Sequence, residues 1–416
     1  MWKQPWGLKE GFAICIGLFL TGIILQITVG KIDWDLFAFP VNIITLGVFI
    51  AGIATMHITA QKVYLFKWMS RYQAAVTAML GVVAVTVIMG VIRQKPFHVE
   101  VLGFESWLGF SQMLSAWPFI LLYMWFTMLV GMVTLRRLFP FRLRNIPFLL
   151  NHAGLFIAIT AAVLGSADMQ RLEMTASIGS ENPEWRAYNK LGEMKELPLA
   201  VKLNEFTIDE YPPKLILIDN ETGKALPEGK PANLLLEEDF SVGNLLDWHI
   251  VVTQHIPEAA SMATEDTLRF VEFHSMGAAY AVYVQAENTR TGEKKEGWIS
   301  GGSFMFPYKA IRLSNEMSLV MPEREPRRYA SDVTIYTEKG EVFESVIEVN
   351  KPFKVDGWKI YQLNYDHSKG KWSTISIFEL VRDPWLPVVY AGIWMLIAGA
   401  VCMFLTAGKT RKEDKK

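Results

Sequence analysis

The sequence predicts an integral membrane α-helical bundle of six transmembrane helices, with a large extramembrane domain inserted between helices five and six. We expect this domain to be mostly antiparallel β structure. Residues 1–165 and 384–408 consist mainly of long apolar runs, whereas residues 166–383 have the composition of a soluble domain. Residues 409–416 form a short basic tail. The overall hydrophobic content of 51% therefore averages over two different populations.

Six segments reach the length of about 20 apolar residues that a hydrocarbon core of about 30 Å requires. They are residues 11–29, 41–60, 74–92, 116–135, 146–165 and 386–407. None of them contains Asp, Glu, Lys or Arg. The first segment is too long for a cleaved signal peptide and lacks a small-residue cleavage site before Gln26. We therefore predict that all six segments are membrane-spanning helices.

Lysine and arginine concentrate in four of the short segments outside the predicted spans. These segments are residues 1–10, the loops after the second and fourth spans, and the tail 409–416. The loops after the first and third spans contain fewer basic residues. Because positively charged loops stay in the cytoplasm, we expect both termini to be cytoplasmic and residues 166–383 to lie on the opposite side.

Apolar and polar residues alternate with a period of two in the large domain, which is typical of half-buried strands. The clearest examples are residues 201–208, 214–219, 248–253, 279–284 and 332–337. Turn sequences such as Asp356-Gly357 separate them. Closely spaced strands with short turns indicate antiparallel sheets, arranged as a sandwich or as one curled sheet. Residues 171–196 and 255–270 are more polar, and we expect loops or short helices there.

Composition excludes several classes of function. The formal net charge is −1 and no basic stripe is present, so we expect no nucleic-acid partner. Both cysteines, Cys15 and Cys402, fall in predicted spans, where we interpret them as small buried hydrophobes. The large domain has no cysteine and therefore cannot exchange disulfides. Its four histidines lack zinc-ligand spacing, and no GxSxG, P-loop or GxGxxG motif occurs.

Two histidines lie inside the predicted spans. His152 is about six residues, or about 9 Å, from the inner end of the fifth span, and His57 is near the inner end of the second. An imidazole in hydrocarbon is costly and usually faces protein, where it has a partner. It is also the commonest side-chain metal ligand, including for haem iron. The alternative is a histidine that forms a hydrogen bond between helices.

Several short elements in the second half of the chain resemble the ResB family, also called CcsB. Residues Val349–Pro352 match an N-x-P element, and residues 357–365 match a G-x-x-x-Y-Q-x-x-Y strand. Residues 382–385 read R-D-P-W, where the family has R-D-P-G. His152-Ala-Gly-Leu is similar to the family's His-x-Gly element. The resemblance covers roughly residues 146–408, whereas residues 1–140 include more spans than the family commonly has before its outer domain.

This resemblance implies a subunit of a system II cytochrome c synthetase in the bacterial cytoplasmic (inner) membrane, with a periplasmic domain. Such a subunit takes part in the export of haem b and its attachment to CxxCH apocytochrome c. It does so together with a CcsA-like haem-handling membrane protein, because no tryptophan-rich haem-handling segment of the CcsA type occurs in this chain. The chain would then be a non-autonomous part of a holocytochrome c synthase, or haem lyase.

The resemblance also points to site residues. We expect His152 to be an axial ligand of the haem iron, with Asn151 or a backbone carbonyl orienting its other nitrogen. The second axial ligand would be a histidine of the partner subunit or His57. Trp358, Tyr361 and Tyr365 are candidates for a face that contacts the partner. Equally, alternate residues of that strand belong to the core.

Two other functions compete with haem ligation. One is a non-catalytic membrane scaffold or haem channel that stabilises the partner without ligating iron. The other is a transporter or sensor with an extracellular binding domain. That class predicts charged residues in the spans or a cytoplasmic signalling module, and the sequence contains neither.

Overall fold

The computed structural model describes residues 2–96, 99, 103–236, 241–263 and 268–413. The chain divides into two compact units. The helical unit comprises Met1–Gln170 and Arg382–Lys416, and the β unit comprises Arg171–Val381.

Among the described residues, six helices of the helical unit are long and apolar enough to cross a membrane. The α-helices in the described part of the chain are α1 (Leu8–Val29), α2 (Val41–Thr59), α3 (Tyr64–Met69), α4 (Tyr72–Val91), α5 (Phe104–Trp107), α6 (Trp117–Leu138), α7 (Ile146–Gly165) and α8 (Leu386–Glu413). The six long apolar helices predicted from the sequence correspond to α1, α2, α4, α6, α7 and α8, and the prediction is confirmed. Helix α8 continues into the basic tail, of which residues 414–416 lie outside the described residues.

Helix α6 supplies much of the core of the helical unit. One cluster of buried side chains joins it to α1, α2, α3 and α4. Cys15 is buried in this cluster, as expected for a small hydrophobe. A continuous apolar helix gains little from contact with lipid alone, so close side-chain packing of this kind holds such helices together.

Helices α7 and α8 approach each other closely enough for backbone contact. A Cβ atom on Gly154 would lie 2.5 Å from the backbone nitrogen of Leu396, and one on Gly392 would lie 2.6 Å from that of Ala158. Only glycine permits such an approach, which is the usual way in which small residues join membrane helices. Near the same contact, Asn151 Nδ2 donates a hydrogen bond of 3.1 Å to the carbonyl oxygen of Leu396.

The carboxylate of Asp168 joins three segments of the helical unit. One oxygen accepts a hydrogen bond of 2.7 Å from the backbone N–H of Phe39. The other accepts bonds of 2.7 Å from Asn42 Nδ2 and from Trp385 Nε1. Trp385 also packs against Gly165, where an added Cβ would lie 2.4 Å from the Cβ of the tryptophan. The tryptophan that stands in place of the glycine of the R-D-P-G pattern thus has a structural role.

The β unit is an antiparallel β domain. Its strands are β1 (Gln170–Ser177), β2 (Glu184–Tyr188), β3 (Met194–Glu210), β4 (Lys214–Asp219), β5 (Ala225–Leu226), β6 (Asn233–Leu235), β7 (Val242–Leu245), β8 (Trp248–Ala263), β9 (Leu268–Glu272), β10 (Ala279–Asn288), β11 (Lys294–Ser300), β12 (Ile311–Arg312), β13 (Met317–Val320), β14 (Pro326–Thr337), β15 (Val342–Glu348), β16 (Phe353–Val355), β17 (Trp358–Tyr365) and β18 (Ile375–Arg382). The five strands predicted from alternation all occur, and four of them begin earlier or end later than predicted by several residues.

The largest sheet curls around its own core. Its strand order is β15-β14-β3-β2-β1-β18-β17-β16, and one buried cluster draws residues from all eight strands. Phe343 on one edge strand meets Phe353 on the other, with ring centroids 5.7 Å apart. The two edges are therefore neighbours. A sheet that closes in this way leaves few backbone groups exposed along an edge.

The other two sheets form a sandwich. One has the order β11-β10-β8-β7 with β9 paired to β8, and the other has the order β12-β13-β4-β5 with β6 paired to β4. Buried residues from both sheets, including Leu217, Ile250, Val284 and Leu319, belong to one cluster. The domain thus contains both of the arrangements that the sequence left open, a curled sheet and a sandwich.

The expectation of loops or short helices at residues 171–196 and 255–270 was wrong. Strands β1 and β2 and the start of β3 occupy the first region. The end of β8 and the start of β9 occupy the second, apart from residues 264–267, which lie outside the described residues. In β1 the buried side chains are Leu172, Met174 and Ala176, and all remaining residues of the strand face solvent. The polarity of these segments reflects one solvated face rather than an absence of strands.

The elements that resemble the ResB family have structural explanations. Asn350 lies in the turn between β15 and β16 with φ 64°, a left-handed conformation that asparagine tolerates better than most residues. Asp356 and Gly357, with φ 45° and 82°, form the turn between β16 and β17. Gln362 on β17 is buried, accepts a bond of 2.6 Å from Ser331 and donates one of 2.7 Å to Ser376. The two turns connect β15, β16 and β17, and the hydrogen bonds of Gln362 join β17 to β14 and β18.

Acid should weaken the curled sheet through Glu348, whose carboxylate contacts Arg328 at 2.7 Å and Lys351 at 2.9 Å. Hydrogen bonds from these two residues lower the pKa of Glu348 from 4.5 to about 2. Because the folded-state pKa is depressed, the stabilisation is complete above about pH 4.5 and is lost as the pH falls towards 2. We expect Glu348→Gln to lower the unfolding temperature of the full chain at pH 7 and to match the wild type near pH 2. The control is Glu205→Gln on β3, an exposed position. A difference of equal size at both pH values would contradict the assignment.

Candidate functional site

An open cavity of about 970 Å³ lies between α2, α3 and the end of α6 in the helical unit. Its walls are mostly apolar, and its polar part contains an imidazole and two cationic side chains. The apolar lining residues are Ala54, Ile58, Ala60, Met132, Leu135 and Phe139, and the polar ones are His57, Gln61, Lys67, Ser70 and Arg136. The volume is at the upper end of the range for small-molecule sites.

The polar side chains of this cavity differ in how far they are exposed to solvent. His57 is half-buried, and its ring centroid lies 6.5 Å from that of Phe139. Lys67 and Arg136 are more exposed, and Arg136 Nη1 donates a hydrogen bond of 2.9 Å to the carbonyl oxygen of Ser70. Apolar walls beside two cations suit a ligand with an apolar body and a carboxylate or phosphate edge. The imidazole adds a potential metal ligand.

His152 lies in the first half of α7, and its ring has a defined orientation. The ring stacks on Phe148 with centroids 3.8 Å apart and an angle of 16° between planes. Its Nδ1 lies 3.2 Å from the carbonyl oxygen of Phe148. Because a carbonyl oxygen only accepts, Nδ1 is the donor in this hydrogen bond, and in the neutral imidazole Nε2 then keeps its lone pair. A backbone carbonyl on one ring nitrogen is the common arrangement for a histidine that ligates a metal through the other.

The sequence suggested two groups that could orient the other ring nitrogen of His152, the side chain of Asn151 or a backbone carbonyl. In the structure, Asn151 is not that group. Its amide bonds to Leu396 on α8 and does not orient the neighbouring imidazole. The backbone carbonyl of Phe148, the other predicted possibility, occupies that position instead. Asn151 therefore fixes α7 against α8, and this contact sets the position of the helix that carries His152.

Both histidines are near residues at the end of α6, although His152 is not part of the lining of the His57 cavity. His57 neighbours Phe139, and the guanidinium carbon of Arg137 lies 5.2 Å above the ring of Phe148, on which His152 stacks. Sequence reasoning used the basic residues here only as markers of orientation. It did not identify Lys67 and Arg136 as lining residues, although their positions at span ends beside a histidine were a usable signal.

Strand β17 places most of the predicted partner-contact face in the interior. Trp358 is 2% exposed and Tyr365 is 7% exposed, so neither side chain presents a surface to a partner. Tyr361 lies on the face opposite to Trp358 and is half-buried. For Trp358 the alternative interpretation, in which alternate residues of the strand belong to the core, describes the structure, whereas Tyr365 is buried against the rings of Phe206 and Tyr329.

These features define a class of protein: in the described part of the chain, six apolar helices long enough to cross a membrane accompany an antiparallel β domain, which suggests a multi-pass membrane protein. Residues 285–377 of the β unit match the model of the ResB-like family. The matched segment contains the Asn350 turn, the Asp356-Gly357 turn and Gln362, and it confirms the resemblance to the ResB family over this part of the chain. No curated protein matches the chain.

Proposed function

We propose that this chain is a ResB-like subunit of a system II cytochrome c synthetase. In this role it takes part in the export of haem b and its attachment to CxxCH apocytochrome c, together with a CcsA-like partner. The match to the ResB-like family suggests a role associated with cytochrome c biogenesis. The uneven distribution of basic residues supports an orientation in the bacterial cytoplasmic membrane with both termini cytoplasmic and the β unit periplasmic.

The observation that carries the proposal is the cavity beside His57. Haem has a flat apolar macrocycle, two propionate carboxylates and an iron that accepts imidazole ligands. The apolar walls suit the macrocycle, Lys67 and Arg136 suit the propionates, and His57 is an available imidazole. This side of the bundle is the cytoplasmic one in the proposed orientation, so haem would enter here.

His152 is the second element of the proposal. In the neutral imidazole, the Nδ1 bond to the Phe148 carbonyl leaves Nε2 of His152 with its lone pair, the state that binds iron. We assign His152 as an axial ligand of haem within the membrane. The partner subunit would supply the other axial histidine, or His57 would do so at an earlier stage.

Optical spectroscopy of the protein purified with its CcsA-like partner tests these assignments. We expect His152→Ala to lower the Soret absorbance per protein about tenfold or more. Loss of an axial ligand should reduce haem affinity at least as much as loss of the groups that orient such a ligand. We expect a smaller loss for His57→Ala. Added imidazole should restore part of the band in His152→Ala, because it replaces the missing ligand.

The control is His249→Ala in the β unit, where the imidazole bonds only to the side chain of Asn244 among the described residues. This variant should keep the wild-type spectrum. An unchanged Soret band in His152→Ala would remove His152 from the mechanism. If both variants of the helical unit kept the band, the chain would be a scaffold for its partner rather than a haem-binding subunit.

A further inference from the structure

A second cavity, of about 310 Å³, lies within the β unit. Three loops surround it, residues 301–304, 321–324 and 367–372, and its floor is formed by Ala278, which precedes β10, and Tyr280 of β10. All three loops fall within residues 285–377, the segment that matches the ResB-like family. The volume is about that of the smallest ligand sites in proteins, and it excludes a large macrocycle.

The floor of this cavity is held by internal contacts. Tyr280 forms a hydrogen bond to Nε2 of His255. The guanidinium of Arg324 lies 5.7 Å above the ring of Tyr280 and pairs with Glu210 at 3.0 Å. It also donates a bond of 3.1 Å to the carbonyl oxygen of Tyr211. Because these polar groups already have partners, the floor contributes shape and an aromatic surface rather than a charge for a ligand.

The rim has a net positive charge. Lys369 and Lys371 line the cavity, and no ion pair among the described residues uses either of them. The ammonium of Lys371 lies 4.8 Å from the ring of Trp372, which is part of the wall. Glu323 also lines the cavity, and Lys369 is close enough to Asp366 to contribute to lowering the pKa of that carboxyl. The two lysines are nevertheless the cations at this rim that have no ion-pair partner among the described residues, so their ammonium groups can reach an anionic group of a ligand.

One side of the mouth is an exposed apolar lip formed by Met276, Phe304, Met305 and Tyr308. The loop that carries it is ordered by Ser303, whose hydroxyl donates to the carbonyl oxygen of Gly277 at 2.5 Å and accepts from the N–H groups of Met305 and Phe306. Exposed methionine and aromatic side chains are enriched at protein-binding surfaces, where they adapt to the partner.

We propose that this cavity binds a polypeptide segment of a partner that presents one large apolar side chain next to a carboxylate. The apolar side chain enters between Trp372 and Phe304, and the carboxylate pairs with Lys369 and Lys371. Three observations together support this: a volume suited to one side chain, two rim lysines without an ion-pair partner among the described residues, and a lip of methionine and aromatic residues. The inference goes beyond haem handling and does not depend on it.

Peptide binding to the full-length protein in detergent tests the proposal. The probes are three fluorescein-labelled peptides, Ser-Asp-Phe-Asp-Ser, its charge-reversed form Ser-Lys-Phe-Lys-Ser, and Ser-Asp-Ser-Asp-Ser, which lacks the aromatic anchor. We expect fluorescence anisotropy to show binding of the first peptide about tenfold tighter than either of the others, with the affinity falling as salt is added.

Variants locate the binding. The double variant Lys369→Glu/Lys371→Glu should weaken binding of the first peptide about tenfold, and Phe304→Ala should weaken its binding about threefold. Lys354→Glu, an exposed lysine on β16, is the matched control and should bind as the wild type does. All variants should unfold at the wild-type temperature, and their Soret bands should be unchanged.

Equal affinity for the acidic and the basic peptide would overturn the proposal. Unchanged binding in the double lysine variant would overturn it as well. Either failure would leave the haem proposal intact, because that proposal is read from the Soret band and this one from anisotropy.

Discussion

Gly392→Ala should destabilise the protein by about 1–3 kcal/mol, the usual result of adding a methyl group where no space exists. The new Cβ would lie 2.6 Å from the backbone nitrogen of Ala158 and 2.8 Å from the carbonyl oxygen of Gly154. Neither atom belongs to a side chain that can rotate away, so α7 and α8 must separate. Gly154→Ala should have a similar effect. The two variants should not be additive, because they disturb the same contact.

Thermal unfolding of the purified full-length chain measures this prediction, and Gly17→Ala and Gly47→Ala are the controls. At both control positions an added Cβ meets nothing within 4 Å. These variants should be neutral or slightly stabilising, since alanine is the better helix former. Equal midpoints for all four variants would contradict the proposed backbone contact between α7 and α8.

The same substitution should also affect the proposed haem site. Asn151 bonds to Leu396 across this contact, and His152 is the next residue on α7. Separation of the helices moves the imidazole, so the Soret band of Gly392→Ala should decrease while that of Gly17→Ala does not.

Asp168→Ala should cost about 2–4 kcal/mol, since the loss of one carboxylate leaves three donors without their acceptor. These donors are the N–H of Phe39, the amide of Asn42 and the indole of Trp385. Asn42 is fully buried, and water cannot readily replace the missing acceptor there. The variant should unfold at a clearly lower temperature than the wild type.

Two further variants separate the contributions at this site. Trp385→Phe keeps the aromatic contact with Gly165 but removes one donor, so it should cost only about 1 kcal/mol. Asp35→Ala replaces an exposed aspartate on the same unit and should have no effect. If Asp168→Ala unfolded at the same temperature as Asp35→Ala, the carboxylate of Asp168 would not hold the segments of Phe39, Asn42 and Trp385 together.

The six apolar helices were predictable because length and apolar composition are local properties of the chain. The strands were predictable where apolar and polar residues alternate strictly, as at residues 279–284. Prediction failed for β1 and β2, in which long polar side chains occupy the solvated face and hide the buried residues. The backbone of a strand pairs with its neighbours whatever side chain faces the water, so composition alone underestimates the length of strands that have one solvated face.

The candidate site was predictable only in part. His152 and His57 stood out because a histidine in an apolar span is costly and rare. The groups that surround them did not, because Lys67 and Arg136 reach the His57 cavity from other helices. Strand β17 shows the same limit: a run of Trp and Tyr is compatible with a contact face or with a core. Only the tertiary structure places Trp358 in the core of the curled sheet and buries Tyr365 against Phe206 and Tyr329.

The sequence by itself determined which segments are apolar helices and where the turns of the β domain lie, because such properties depend on neighbouring residues. Only the tertiary structure decided which distant residues meet. Asn151 and Leu396 are 245 positions apart, and Asp168 and Trp385 are 217 apart. Contacts of this kind depend on the packing of whole helices and sheets, which no local pattern encodes.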